Sequence, residues 1–169
     1  MILSRLLKGR EKREERLYGA IVAAARHAQF YEKMGVADTI DGRFEMIVLH
    51  LFLMLNRLKG ESVEDVRQRL TDAFFADMDR SLRELGVSDA TIGKRARKLA
   101  ESYYGRVTAY DKALLAGPGV LEETVNRNIY PDGAPEVAKE AMVNYIAAAA
   151  ELLGTIPLEQ ILRSELKFP

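Results

Sequence analysis

Apolar residues recur along this chain at steps of three and four. Glycine and proline divide it into helix-length pieces. Over residues 10–34 the stripe Leu17, Ala20, Ile21, Ala24, Ala28 and Tyr31 predicts a first helix, ended by Gly35. Residues 42–58, with Asp41 as cap, predict a second. It is apolar nearly all round between Met46 and Leu55, which predicts a central helix packed on several sides. Gly60 ends it. Ser62 is placed to cap a third helix, with Asp65 three residues on. The inner face of this helix is marked by Val63, Val66, Leu70, Phe74, Met78, Leu82 and Leu85, and Gly86 closes it.

Ser88 opens a fourth helix reaching residue 115. Its seam Ile92, Ala96, Leu99, Tyr103, Val107, Tyr110 and Leu114 has the heptad-like spacing of helices packed side by side. Gly117-Pro118-Gly119 stops it. Shorter helices are expected over 120–128, over 135–153 up to a break at Gly154, and over 157–166. The prediction is an all-α fold of about seven helices. Short loops make it a bundle-like single domain around the helix at 42–58. Residues 1–9 are read as a flexible lead-in, and 120–166 as C-terminal helices.

Composition agrees with a globular chain. Of 169 residues, 48% are apolar and 30% charged. Absence of cysteine removes disulfides, thiolate metal sites and cysteine nucleophiles, and fits a reducing cytoplasm. The net charge is zero but graded. Residues 1–60 hold 11 basic and 7 acidic side chains, and residues 120–169 hold 4 and 8. Such a gradient either orients the protein on a charged partner or is ordinary scatter. The N-terminal apolar residues are broken by Ser4 and Arg5, which argues against a secretory leader. The longest apolar run, 46–55, is far short of the roughly 20 residues of a membrane span. A soluble protein is expected.

Catalytic patterns are missing. His27 and His50 are the two histidines, and neither sits in a Glu-x-x-His pair. His50, inside the most apolar helix, reads as a hydrogen-bonded core residue, with a groove-facing imidazole as the alternative; His27 reads as exposed on the first helix. Asp77 and Asp79, two apart on a helix, point in different directions and cannot easily grip one ion. Asp79 is expected to be solvated, and Asp77 to pair with Arg80 or Arg83. The stretch 86–95 has six residues between its glycines and Arg after Lys94, which excludes a phosphate-binding loop. No metal site or cofactor is expected.

Two charged features remain. Lys94, Arg95, Arg97 and Lys98 form either a solvated outer face or a docking surface for RNA, anionic lipid or an acidic protein. Residues 2–16 mix Ile2, Leu3, Leu6 and Leu7 with cations, as in a segment lying on a membrane surface or a frayed helix start. Tyr103, Arg106 and Tyr110 are spaced to share one helix face. Gly105 inside that helix costs up to about 1 kcal/mol relative to alanine, which close approach of a neighbour or a client would explain.

Three stretches carry a family resemblance: 41–58 (DGRFEMIVLHLFLMLNRL), 74–87 (FFADMDRSLRELGV) and 92–114 (IGKRARKLAESYYGRVTAYDKAL). Together, over about 17–115, the chain resembles the ubiquinol–cytochrome c chaperone family, assembly factors for the cytochrome b subunit of the bc1 complex. The resemblance implies a non-enzymatic bacterial chaperone that binds newly made cytochrome b. It also implies a cytoplasmic location beside the inner membrane, with the membrane or the ribosome as peripheral contacts and no DNA partner. Carried over from the motifs, the client-binding residues are His50, Arg57, Asp77, Arg83, Tyr104, Arg106, Tyr110 and Asp111, with Asp111 expected beside a cation. Such a client calls for a groove that is apolar inside and charged at its rim. The rivals are an RNA- or ribosome-binding module using residues 94–98 and a haem-binding bundle using His50.

Overall fold

In a computed structural model, describing the backbone of residues 2–169 and the side chains of 13–169, the elements are all helices: α1 (Ile2–Ala25), α2 (Ala28–Glu32), α3 (Ile40–Arg57), α4 (Glu64–Glu84), α5 (Asp89–Ala116), α6 (Pro118–Asn128), α7 (Glu136–Thr155) and α8 (Leu158–Leu162). The expected central helix is α3. It packs against α1, α5 and α7, and every residue from Glu45 to Leu55 is buried. Each fully buried Leu, Ile, Phe or Met there is worth about 1.5–3 kcal/mol, so α3 is the axis of the core. The helix α4 lies against α1 and α5, α6 bridges α5 and α7, and α8 returns to α1.

The described residues hold eight helices rather than seven, because the expected first helix is two. The chain breaks at residues 26–27, where His27 turns to an extended conformation and its Nδ1 accepts from the Gln29 amide at 3.4 Å. His27 is exposed, as a cap. Three further cap expectations are corrected. Thr39, not Asp41, caps α3, its hydroxyl accepting from the Gly42 amide at 3.1 Å. Val63 precedes α4 with no side-chain cap bond, so Ser62 does not cap it. Gly154 stays inside α7, which ends at Thr155 against Pro157. The N-terminal surface segment rests mostly on side chains outside the described residues.

The imidazole of His50 is fully buried with both nitrogens satisfied. A carbonyl can only accept, so Nδ1–H donates to the Met46 carbonyl (2.8 Å) and Nε2 accepts from the Tyr145 hydroxyl (2.7 Å). Phe30 and Phe168 cover its edges. Burial holds its pKa down, at about 4, so it is neutral at pH 7.

Candidate functional site

The helices α4 and α5 form an antiparallel hairpin turned by Gly86, whose φ of 75° suits a residue without Cβ. Near the hairpin's middle, rings interlock: Phe74 lies 4.9 Å from Tyr103, and Phe75 lies 5.3 Å from Tyr103 and 6.1 Å from Tyr104. Beyond this cluster the hairpin becomes an arm. In the stretch 75–102, Ile92 alone is buried. The arm is braced at both ends. At its root the Tyr18 hydroxyl of α1 donates to Asp77 at 3.0 Å. At its tip Arg83 binds Asp79 on its own helix and Asp89 on the next, both at 2.9 Å.

Between arm and body lies an open cleft of about 860 Å³. Ile40, Phe44 and Ile47 of α3 form one apolar wall, and Met78 and Leu82 of α4, Leu85 at its C-cap and Leu99 of α5 form the other. Ile40 and Leu85 are 64% and 57% exposed. The charged rim consists of Arg26, Asp41 and Arg43 on the body side and Glu84, Arg95 and Lys98 on the arm side. A concave site with apolar walls and a few polar groups at its rim is the usual form of a candidate binding site.

Below the cleft Arg106 of α5 meets Glu45 of α3. Its Nε reaches the two carboxylate oxygens at 2.7 and 2.9 Å, and Nη2 reaches Oε1 at 2.5 Å. Burial raises the Glu45 pKa, against the pull of Arg106. The guanidinium also sits 6.0 Å above the Phe44 ring. On the far side of the aromatic cluster a smaller groove of about 340 Å³ is floored by Phe52, Leu55, Tyr103 and Val107. Tyr104 lines it and the Lys59–Asp111 salt bridge crosses its mouth.

The residues expected to bind a client are thus divided. Tyr104 is 57% exposed. Asp111 meets a cation, Lys59, as expected. Tyr110 is fully buried, its ring stacked on Phe52 at 5.6 Å, and His50 is equally enclosed; neither reaches the surface. Tyr103 is buried too, so Tyr103, Arg106 and Tyr110 do not form an exposed patch. Arg57 holds the α7–α8 turn, donating from Nε to the Leu153 carbonyl (2.9 Å) and from Nη2 to the Ile156 carbonyl (3.0 Å). The expected pairing of Asp77 with Arg80 or Arg83 is corrected: Asp77 accepts from Tyr18, and Arg83 takes Asp79, which is therefore not simply solvated. Lys94, Arg95, Arg97 and Lys98 are all exposed, with Arg95 and Lys98 on the cleft rim. Gly105 has no neighbour within 4 Å of a built Cβ, so close helix approach does not explain it.

Sequence reasoning missed Ile40, Phe44, Ile47 and Arg26 as cleft residues. The available signal was the apolar series continuing to Leu85, beyond the part of α4 that the core covers. Among the described residues no cluster of three or more His, Asp or Glu is placed to hold a metal ion, and no helix is long and apolar enough to cross a membrane.

The model of the family described as Ubiquinol-cytochrome C chaperone matches residues 32–168, which include the cleft-forming α3, α4 and α5. The ubiquinol-cytochrome-c reductase complex assembly factor 1 of Xenopus laevis is 23% identical over 150 residues, covering 87% of this chain and 75% of that protein. The Drosophila melanogaster assembly factor 1 is 21% identical over 154 residues, covering 86% of this chain and 60% of that protein. The crystal structure of the Cbp3 homolog from Brucella abortus superposes with a TM-score of 0.88 at 39% identity, over 100% of this chain and 97% of that one. The chain belongs to the ubiquinol–cytochrome C chaperone family.

Proposed function

We propose that the protein is a non-enzymatic assembly chaperone that binds newly made cytochrome b and supports assembly of the bc1 complex, working in the cytoplasm beside the inner membrane. Family membership supports the assembly role. The observation that carries the binding role is the open cleft, apolar inside with a charged rim. Apolar segments of a membrane protein need such cover before insertion, and a cleft shields them without a chemical step. Of the residues carried over from the motifs, Tyr104, Asp111 and the exposed side of Arg106 remain available to a client. Asp77 and Arg83 act by bracing the arm that forms one cleft wall, and Arg57 acts by holding the α7–α8 turn.

The test is deletion of the gene in its own host, with cytochrome b and assembled bc1 complex quantified in membranes and other respiratory complexes as controls. Selective loss of cytochrome b is expected, restored by the wild-type chain and not by Ile40→Glu/Leu85→Glu. Both positions are exposed, so the pair is expected to leave the fold intact. Unchanged cytochrome b would overturn the reading and bring forward the rival in which residues 94–98 bind RNA.

A further inference from the structure

Resting on that reading of the cleft, we infer that the segment it takes is an apolar α-helix flanked by carboxylate side chains. Three observations define this occupant. The first is the backbone chemistry of the walls. Both are made of helices, whose peptide groups are already bonded internally. An extended segment would find no unpaired strand edge there and would leave its own N–H and C=O groups unsatisfied, whereas a helix satisfies its own.

The second observation is length. The arm wall from Met78 to Leu85 extends about 10 Å at roughly 1.5 Å per helical residue, so it matches about two turns of a partner helix. Apolar side chains at i, i+3, i+4 and i+7 of that helix would cover Phe44, Leu82 and the exposed Ile40 and Leu85.

The third is charge. Arg43 is engaged by Asp38 at 2.7 Å, outside the cleft. Asp41 stands in the first turn of α3, where the helix N-terminus compensates a carboxylate. Arg26 on the body wall, and Arg95 and Lys98 on the arm wall, form no salt bridge among the described residues. Glu84 is the one carboxylate on the arm side of the rim. Cations without partners on opposing walls select a helix with Asp or Glu on both flanks of its apolar stripe. They disfavour one flanked by Lys or Arg.

Two synthetic helical peptides test this against the full chain. They share one apolar stripe and carry either Glu or Lys on its flanks, and binding is read by fluorescence anisotropy at low and high salt. The Glu-flanked peptide is expected to bind about tenfold more tightly at low salt, the sum of a few rim charge pairs, and to lose that margin at high salt. Arg95→Glu/Lys98→Glu is expected to reverse the preference, and Leu85→Ser to weaken both peptides. Equal binding of the two peptides, or a preference untouched by charge reversal, overturns the inference. So does flotation with anionic phospholipid vesicles that the charge reversal abolishes while peptide selectivity is absent, since the cations would then serve a lipid surface. In the deletion strain, full restoration of cytochrome b by Arg95→Glu/Lys98→Glu would overturn the carboxylate-flanked occupant while leaving the chaperone reading intact. Unchanged cytochrome b on deletion strikes the chaperone reading itself.

Discussion

Removing Arg106 while leaving Glu45 tests how α3 and α5 are joined. The Glu45 carboxylate is 8% exposed and the Arg106 side chain 29%. Opposite charges about 4 Å apart attract by about 4 kcal/mol at an effective dielectric near 20, and stripping water from the carboxylate costs a comparable amount. The raised pKa of Glu45 says which effects win at that group: burial, with the nearby Asp41 charge adding to it, outweighs the arginine even with three short contacts in place. The pair is therefore a poor source of net stability but a costly one to break. Arg106→Leu strands a buried charge and is expected to lose about 3–5 kcal/mol, whereas Glu45→Leu/Arg106→Leu is expected to recover most of that loss.

The assay is urea unfolding followed by circular dichroism, from pH 7 to pH 5. In Arg106→Leu the Glu45 pKa rises further above its unfolded value. The folded state then binds more protons than the unfolded one, so acidification favours folding and the deficit against wild type shrinks as pH falls. A single variant within about 1 kcal/mol of wild type, a double variant no better than the single, or a deficit constant with pH would refute the reasoning. The same geometry makes charge reversal at Arg106 a test of folding rather than of client contact.

Other consequences follow from single contacts. The folded pKa of His50 is about 4, against an unfolded value of 6.5, so the unfolded state takes up the proton first. Stability from this group is complete above pH 6.5 and declines by up to about 3 kcal/mol as pH falls toward 4; His50→Leu should remove that part of the slope in pH-dependent melts. Arg57→Lys cannot reproduce the fork that holds two carbonyls of the α7–α8 turn; it should cost about 1–3 kcal/mol and speed hydrogen exchange over residues 153–160. A Cβ on Gly42 would run into the Ala37 carbonyl oxygen, so Gly42→Ala should lose more than about 2 kcal/mol. By contrast, Gly105→Ala meets open space inside a helix and should gain about 0.5–1 kcal/mol in thermal melts.

The sequence made α3 legible because an apolar surface on all sides of a helix has one physical solution, burial on all sides. His50 was readable for the same reason: an imidazole there must find partners or destabilise the core. The break after α1 was not readable. The apolar series through Ala24, Ala28 and Tyr31 runs on across it, and only the cap bond to His27 shows that the backbone turned. Ion pairs were legible as far as helix phase was applied strictly. Asp79 and Arg83 are four apart and meet, whereas Asp77 and Arg83, six apart, do not share a face. The cleft was hidden for a different reason. Periodicity reports that a face is apolar and not what covers it, so Met78, Leu82, Leu85 and Leu99 looked like core.

That uncovered face is costly to keep, and the surrounding contacts indicate how it persists. If the arm folded down onto Ile40 and Phe44 it would bury the same apolar residues and remove the cleft. Opposing this, the interlocked rings at Phe74 and Tyr103 and the Tyr18–Asp77 bond fix the angle at the root, while Arg83 joins both strokes of the hairpin at the tip. Collapse would have to break packed rings and a partly buried hydrogen bond, not merely bend a loop. A cleft held open in this way carries little reorganisation cost when a helix enters, so affinity can come from a modest apolar contact.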